Sequence, residues 1–371
     1  MSRGFFYYSE AFQGYNMGTN HPMKPIRLRK TFELLREYGA FETVELREPE
    51  FCPPEILSKT HREDFIRAVE YLSSSKSFPY SYTRFGFGTG DNPVFPGIYE
   101  ASLLYTGASL SAAADIVEGR SPVAMNIAGG LHHAHYAKAA GFCVFNDCAV
   151  ALTKLRERFE RVAYVDIDVH HGDGVQELFY EDPSVLTLSI HETGQTLFPG
   201  TGYVWETGDG DGKGYSVNIP VWPYTDDKQW LGAWHSIALP ILKAYQPEAI
   251  VLQLGTDAHL LDPLAHVALT AQGWLEAVKD VIALGTPIVA LGGGGYNMTT
   301  VPRMWAAAAS ELFGLNLPDE TPDSYAWKNE MPRLLDTDPP ELDADSLNEA
   351  ARLNNTMIAE AQRVLFPAFG L

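Results

Sequence analysis

The sequence predicts an α/β domain built on a buried parallel sheet. Two observations carry the prediction. Near-continuous apolar, β-rich runs recur along the chain, and segments with helical spacing of apolar residues separate them. A third supports it: ionisable residues gather just beyond several of those runs, where open parallel sheets bind ligands.

The first run is PVAMNIA (122–128), followed by a loop and by DCAVALTKLRERF (147–159), with Ala149, Leu152 and Leu155 at helical spacing. RVAYVDIDV (161–169) is the next strand; Ala163, Val165, Ile167 and Val169 alternate with other residues. VLTLSIH (185–191), EAIVLQLG (248–255) and PIVALGG (287–293) continue the series. LGAWHSIALPILKAY (231–245), GWLEAVKDVIALG (273–285) and VPRMWAAAASELFG (301–314) read as helices. Two segments, 80–98 and 198–215, are rich in Gly, Pro and aromatic residues and too long for simple connectors, so they are expected to shape a site. From about 317 the chain is acidic and contains proline, then ends in a helix-like stretch, 347–366. We expect one domain over 1–371: a core of about 5–315 and an extension, 316–371, whose terminal helix docks on it.

The 371 residues are 46% hydrophobic, enough for a large core. A net charge of −20 argues against direct nucleic-acid binding, which needs clustered Lys and Arg, and suits cationic substrates. Three cysteines without a CxxC pair, and no signal-like N-terminus, predict a reducing, cytoplasmic setting. The apolar runs are too short for a membrane span.

Four strand ends carry unusual chemistry. The run at 122–128 leads to His132 and His133; that at 161–169 leads through Asp166, Asp168 and His170 to His171 and Asp173; that at 248–255 leads to Asp257; that at 287–293 leads to Tyr296. Asp168 and His170 are two apart, so an extended backbone points both to one side. With Asp257 they make a His and two carboxylates, a set that suits Zn²⁺, or Fe²⁺, with a position open for water. His132 and His133 could then move protons, oriented by Asp166 and Asp173. An isolated strand-end Asp is usually a turn former and an isolated His usually structural. So many ionisable groups crowded together are costly unless they bind something. The glycine run 292–295 lacks a phosphate-loop pattern; its better role, Gly294 included, is to let the backbone turn and approach a ligand.

GGLHHAHYAKAAGFCVFND (129–147), YVDIDVHHGDGV (164–175), LFPGTG (197–202), LQLGTDAHLLDPL (252–264), LGGGGYN (291–297) and HPMKPIRLRKT (21–31) resemble the metal-dependent histone deacetylases, most closely the bacterial acetoin-utilisation branch. The resemblance runs from about residue 5 to about 315. It implies an arginase-like fold with an eight-stranded parallel sheet, and hydrolysis of Nε-acyl-lysine in proteins or peptides. It makes Asp168, His170 and Asp257 the metal ligands. It makes His132 and His133, with Asp166 and Asp173, the proton-transfer pairs, and Tyr296 the donor to the acyl oxygen. Phe142 and Phe198 match tunnel walls, Gly141 a carbonyl facing the tunnel, Leu264 and Asp91 the rim, and Arg27 an acetate exit channel. Asp166, Asp168, His170, Ser189 and Ile190 match a monovalent cation site, usually K⁺. Hydroxamate-type inhibitors are implied as ligands. Pro263, His135 and Tyr136 depart from the family pattern, which bears on rim recognition and regulation more than on chemistry.

Other readings remain. The same chemistry would serve acetylpolyamines. A binuclear arginase-like site would need carboxylates where Gly172 and His259 stand. A binding module without turnover would predict a damaged set of site residues.

Overall fold

The computed structural model describes residues 4–75, 77–88, 90–338 and 341–371. Thr89, inside the aromatic-rich 80–98 segment, lies outside the described residues. In chain order the strands are β1 (Phe5–Tyr7), β2 (Glu45–Arg47), β3 (Val123–Asn126), β4 (Val162–Asp166), β5 (Val185–Glu192), β6 (Ser216–Val221), β7 (Ala249–Gln253) and β8 (Ile288–Leu291). They form one sheet in the order β2-β1-β3-β8-β7-β4-β5-β6, every pair parallel. The predicted α/β class and eight-stranded parallel sheet are both borne out.

The five expected strands fall where their apolar runs predicted, and β4, β7 and β8 are buried on both faces. Hence their sequences are almost wholly apolar instead of alternating. Three strands went unpredicted. β1 and β2 have three residues each. β6 contains Pro220, which a sheet tolerates because β6 is its edge.

The segment expected as one helix over 231–245 is three pieces: Asp227–Ala233, a π-turn at Trp234–Ala238, and Leu239–Tyr245. Pro240 explains the break, since it lacks the N–H that would bond to Ser236 four residues back. The Ser236 carbonyl instead accepts from Gln362 Nε2 at 3.1 Å. Gln362 belongs to the terminal helix Ala344–Leu365, which lies against the edge strand β6. Its buried Asn354 accepts from the Trp222 N–H at 3.0 Å and donates to Thr225 Oγ1 at 2.7 Å. No described helix is long and apolar enough to cross a membrane.

Candidate active site

The strand order explains the site. β3, β8, β7 and β4 are consecutive neighbours, so the four loops that follow them emerge side by side. Residues far apart in the chain therefore meet over the middle of the sheet.

Asp168, His170 and Asp257 come together with their ligand atoms all within 4.8 Å of one another. His170 Nδ1 lies 3.0 Å from Asp257 Oδ2 and 3.2 Å from Asp168 Oδ1. All three are buried. Burial disfavours a charged His170, yet Asp168 and Asp257 outweigh it and push its pKa up to about 10. Burial and the Asp168 charge push Asp257 upward. The group thus gathers excess negative charge around one point, and a divalent cation fits it better than the proton that His170 would otherwise keep. Gln253 Nε2 donates to Asp168 Oδ2 at 2.8 Å, and the Gly294 N–H does so at 2.7 Å. Gly294, suggested by sequence as a substrate contact, sits behind these carboxylates. A Cβ there would meet Asp257 Oδ2 at 2.0 Å, so only glycine fits.

Two His–Asp pairs flank the group. His132 Nδ1 is 2.7 Å from Asp166 Oδ2, and His133 Nδ1 is 2.7 Å from Asp173 Oδ1. The two Nε2 atoms face each other at 3.1 Å. Both cannot carry a proton at that distance, so one imidazole presents a lone pair. Burial and the charge of His132 lower His133 to about 4. His132 is raised to about 9, because Asp166 and Asp168 outweigh its burial. His133 is therefore the neutral member. Gly141 stands against it with φ of 51°, and a Cβ there would lie 2.3 Å from the His133 ring. The Gly141 carbonyl accepts from Cys143 Sγ at 3.2 Å.

A cavity of about 230 Å³ opens above these groups, lined by Asp91, His133, Gly141, Phe142, His170, Leu197, Phe198, Leu264 and Tyr296. The Phe142 ring stands edge-on to Tyr296 at 5.6 Å, and Phe198 edge-on to His133 at 5.0 Å. Burial, with Asp257 nearby, raises the Tyr296 phenol well above its ordinary value, so it stays a donor. Asp91 is exposed at the outer end. Arg27 is elsewhere, buried beneath the floor. Its Nη1 donates to Gly295 O at 2.8 Å, its guanidinium lies 5.1 Å from the Trp305 ring centre, and its Nε has no partner among the described residues. Asp166 pairs in register with Ser189 of β5, and Ile190 follows; all three are buried.

Sequence reasoning missed the residues that hold this arrangement. Asp262 accepts the Tyr296 N–H at 2.7 Å and the Leu264 N–H at 3.0 Å. Tyr15 donates to the Phe142 carbonyl at 2.7 Å. His21 Nδ1 accepts the Met23 N–H at 3.1 Å, so its Nε2–H donates to Asp91 O at 3.2 Å. His61 Nε2 accepts the Asn146 N–H at 2.8 Å, and its Nδ1–H donates to His135 O at 3.0 Å. Asn146 in turn bonds Ala134 O at 2.9 Å, so His61 supports the histidine loop from below.

Burial holds His61 neutral in the fold, at about 4 against 6.5 in an open chain. Below pH 6.5 the unfolded chain takes up a proton that the folded chain refuses. Stability is therefore lost as pH falls from about 6.5 towards 4, by roughly 3 kcal/mol in all. His61→Gln keeps a donor and an acceptor but no titration. Urea unfolding from about pH 7.5 to about 4.5 should fall more steeply for the native chain than for the variant; parallel slopes would refute the assignment.

Comparison with known proteins agrees with the geometry. Residues 21–312 match the histone deacetylase domain. The chain is 39% identical to the acetoin utilization protein AcuC of Bacillus subtilis (strain 168) over 344 residues, covering 90% of this chain and 89% of that one. It is 37% identical to histone deacetylase 1 of Homo sapiens over 318 residues, 85% of this chain and 66% of the human one. It is 36% identical to histone deacetylase clr6 of Schizosaccharomyces pombe over 318 residues, 85% of this chain and 78% of the yeast one. The chain belongs to the histone deacetylase family of metal-dependent amidohydrolases.

Proposed function

We propose that this enzyme removes acetyl or short acyl groups from the Nε of lysine in proteins or peptides. One observation carries the reading: a cavity of about 230 Å³ with aromatic walls runs from an exposed carboxylate, Asp91, to a buried His–Asp pair beside a candidate metal site. An acyl-lysine has that pattern of polar end, apolar stem and polar backbone.

Asp168, His170 and Asp257 would hold the ion, and Zn²⁺ is the metal proposed, with Fe²⁺ the alternative for the same ligand set. When bound, such an ion polarises the acyl carbonyl and makes water more acidic. The protein's own groups do the rest. Phe142 and Phe198 enclose the lysine stem and exclude water, with Leu264 at the rim. His133 takes a proton at Nε2 from the attacking water, while Asp173 holds its Nδ1–H and steadies the imidazolium; His132 Nε2 would then present the lone pair, which a divalent ion offsetting the Asp168 charge would favour. His132, held by Asp166, fixes the His133 ring from the inner side. The Tyr296 hydroxyl donates to the acyl oxygen, where negative charge develops. His133 then returns the proton to the departing nitrogen. Arg27, a buried cation whose Nε has no partner among the described residues, suits the released carboxylate. Asp166, Asp168, His170, Ser189 and Ile190 are proposed to hold K⁺, which the adjoining buried carboxylates would favour.

We take the chain as one functional domain, and the helix Ala344–Leu365 lying on β6 supports this. The proposed compartment is the cytosol, which suits three buried, unpaired cysteines.

Asp91 tests the peptide reading. Its carboxylate would accept the two backbone N–H groups beside the substrate lysine. Charge-assisted bonds of that kind contribute about 1.5–3 kcal/mol. Asp91→Ala should therefore lower kcat/KM for an acetyl-lysine peptide by about 10- to 100-fold. Unchanged peptide kinetics would remove the rim contact, and with it the preference for peptides.

A further inference from the structure

We propose that His135 is a positioning residue that acts through Asp173 on His133. The inference rests on the assignment of His133 as the base. It begins from the two oxygens of one carboxylate. Asp173 Oδ1 receives His133 Nδ1 at 2.7 Å and the Gly174 N–H at 3.0 Å. Asp173 Oδ2 faces His135 Nε2 at 3.3 Å. The other nitrogen of His135, Nδ1, meets Glu177. A row of four groups, His133–Asp173–His135–Glu177, thus leads from the floor of the tunnel to a second surface, where Glu177 is exposed.

That surface matters. His135, Asp173 and Glu177 line a cavity of about 820 Å³ that is separate from the tunnel. Without the His135 ring, Asp173 Oδ2 would face that cavity and its water. Asp173 would then be free to rotate and to trade its bond with His133 for hydration. The His135 backbone holds the ring in place, since its carbonyl accepts from His61 and its N–H donates to Lys138 O at 2.9 Å. Burial opposes charge on His135, but Asp173 and Glu177 outweigh it and raise the imidazole to about 9. The contact with Asp173 is therefore a charge-assisted one at neutral pH.

A residue that orients the base affects the chemical step and not the binding of the acyl-lysine. His135→Ala should lower kcat by about 10-fold, the scale of lost outer-shell partners. KM and bound metal should stay as in the native enzyme. His135→Gln offers a neutral N–H to the same oxygen and should recover most of the loss. Each variant is compared at full metal loading, with its melting temperature recorded. A kcat per loaded site equal to the native value in His135→Ala, with only a lower melting temperature, would overturn the inference. So would a His135→Gln as slow as His135→Ala, since the donor would then not matter. His133→Ala is the control for the underlying reading. If it turns over like the native enzyme, the base assignment fails and takes this inference with it; if it is slow while His135→Ala is not, only the role of His135 falls.

Discussion

Asp257→Asn is expected to abolish tight metal binding and leave the fold intact. The substitution replaces a proposed anionic ligand by a neutral amide in a group that gathers one imidazole and two carboxylates. Changes to groups that merely touch metal ligands cost about 10- to 100-fold in affinity, so loss of a ligand's charge should exceed about 100-fold. The fold should survive because Asp257 Oδ1 accepts the Val169 N–H at 3.0 Å, and an asparagine oxygen can do the same. Competition against a chelator, with one ion per chain in the native protein, measures the effect. Native affinity in the variant would exclude Asp257 as a ligand, and two tightly held ions in the native chain would favour a binuclear site.

Tyr296→Phe should produce the second large effect, on turnover and not on the metal. In the proposed mechanism the hydroxyl donates to developing charge, and one such donor is worth about 3–4 kcal/mol, or roughly 10²- to 10³-fold in kcat. The aromatic ring would remain against Phe142, 5.6 Å between centres, and the backbone N–H would still donate to Asp262 at 2.7 Å. Metal content should therefore be normal. Turnover near the native rate would remove the hydroxyl from the mechanism.

These two residues also mark how far the sequence could be read. β4 and β7 were legible because strands buried on both faces leave continuous apolar runs, and the polar cluster at 166–173 then stood out against them. The helix Ile98–Val117 was not legible, since it is apolar nearly all round and has no periodic stripe to detect. The helix Ile26–Glu37, which carries Arg27 under the site floor, gave no signal either, because its buried face includes Arg27, Lys30 and Thr31. Within the site, the clustered residues were found and their supports were not. Asp262 looks like a turn former beside Pro263, and His61 like a solitary surface histidine. Each acts across the fold, His61 on Asn146 and Asp262 on Tyr296, and such pairings appear only when the sheet order brings the loops together.

We propose that the tunnel serves lysine held in a peptide. The most direct test is the ratio of kcat/KM for an acetyl-lysine peptide to that for an acetylated polyamine, measured on the metal-loaded enzyme with a chelator-treated control. Both substrates carry the same acetamide and would bury it alike; they differ beyond it, the peptide bringing backbone N–H groups to the mouth, where Asp91 lies exposed, and the polyamine a second ammonium along its chain. We predict that the peptide is preferred, that chelation silences both reactions, and that a hydroxamate inhibits both. A higher kcat/KM for the acetylpolyamine would contradict the peptide assignment, and turnover that survives removal of the metal would contradict the chemistry itself.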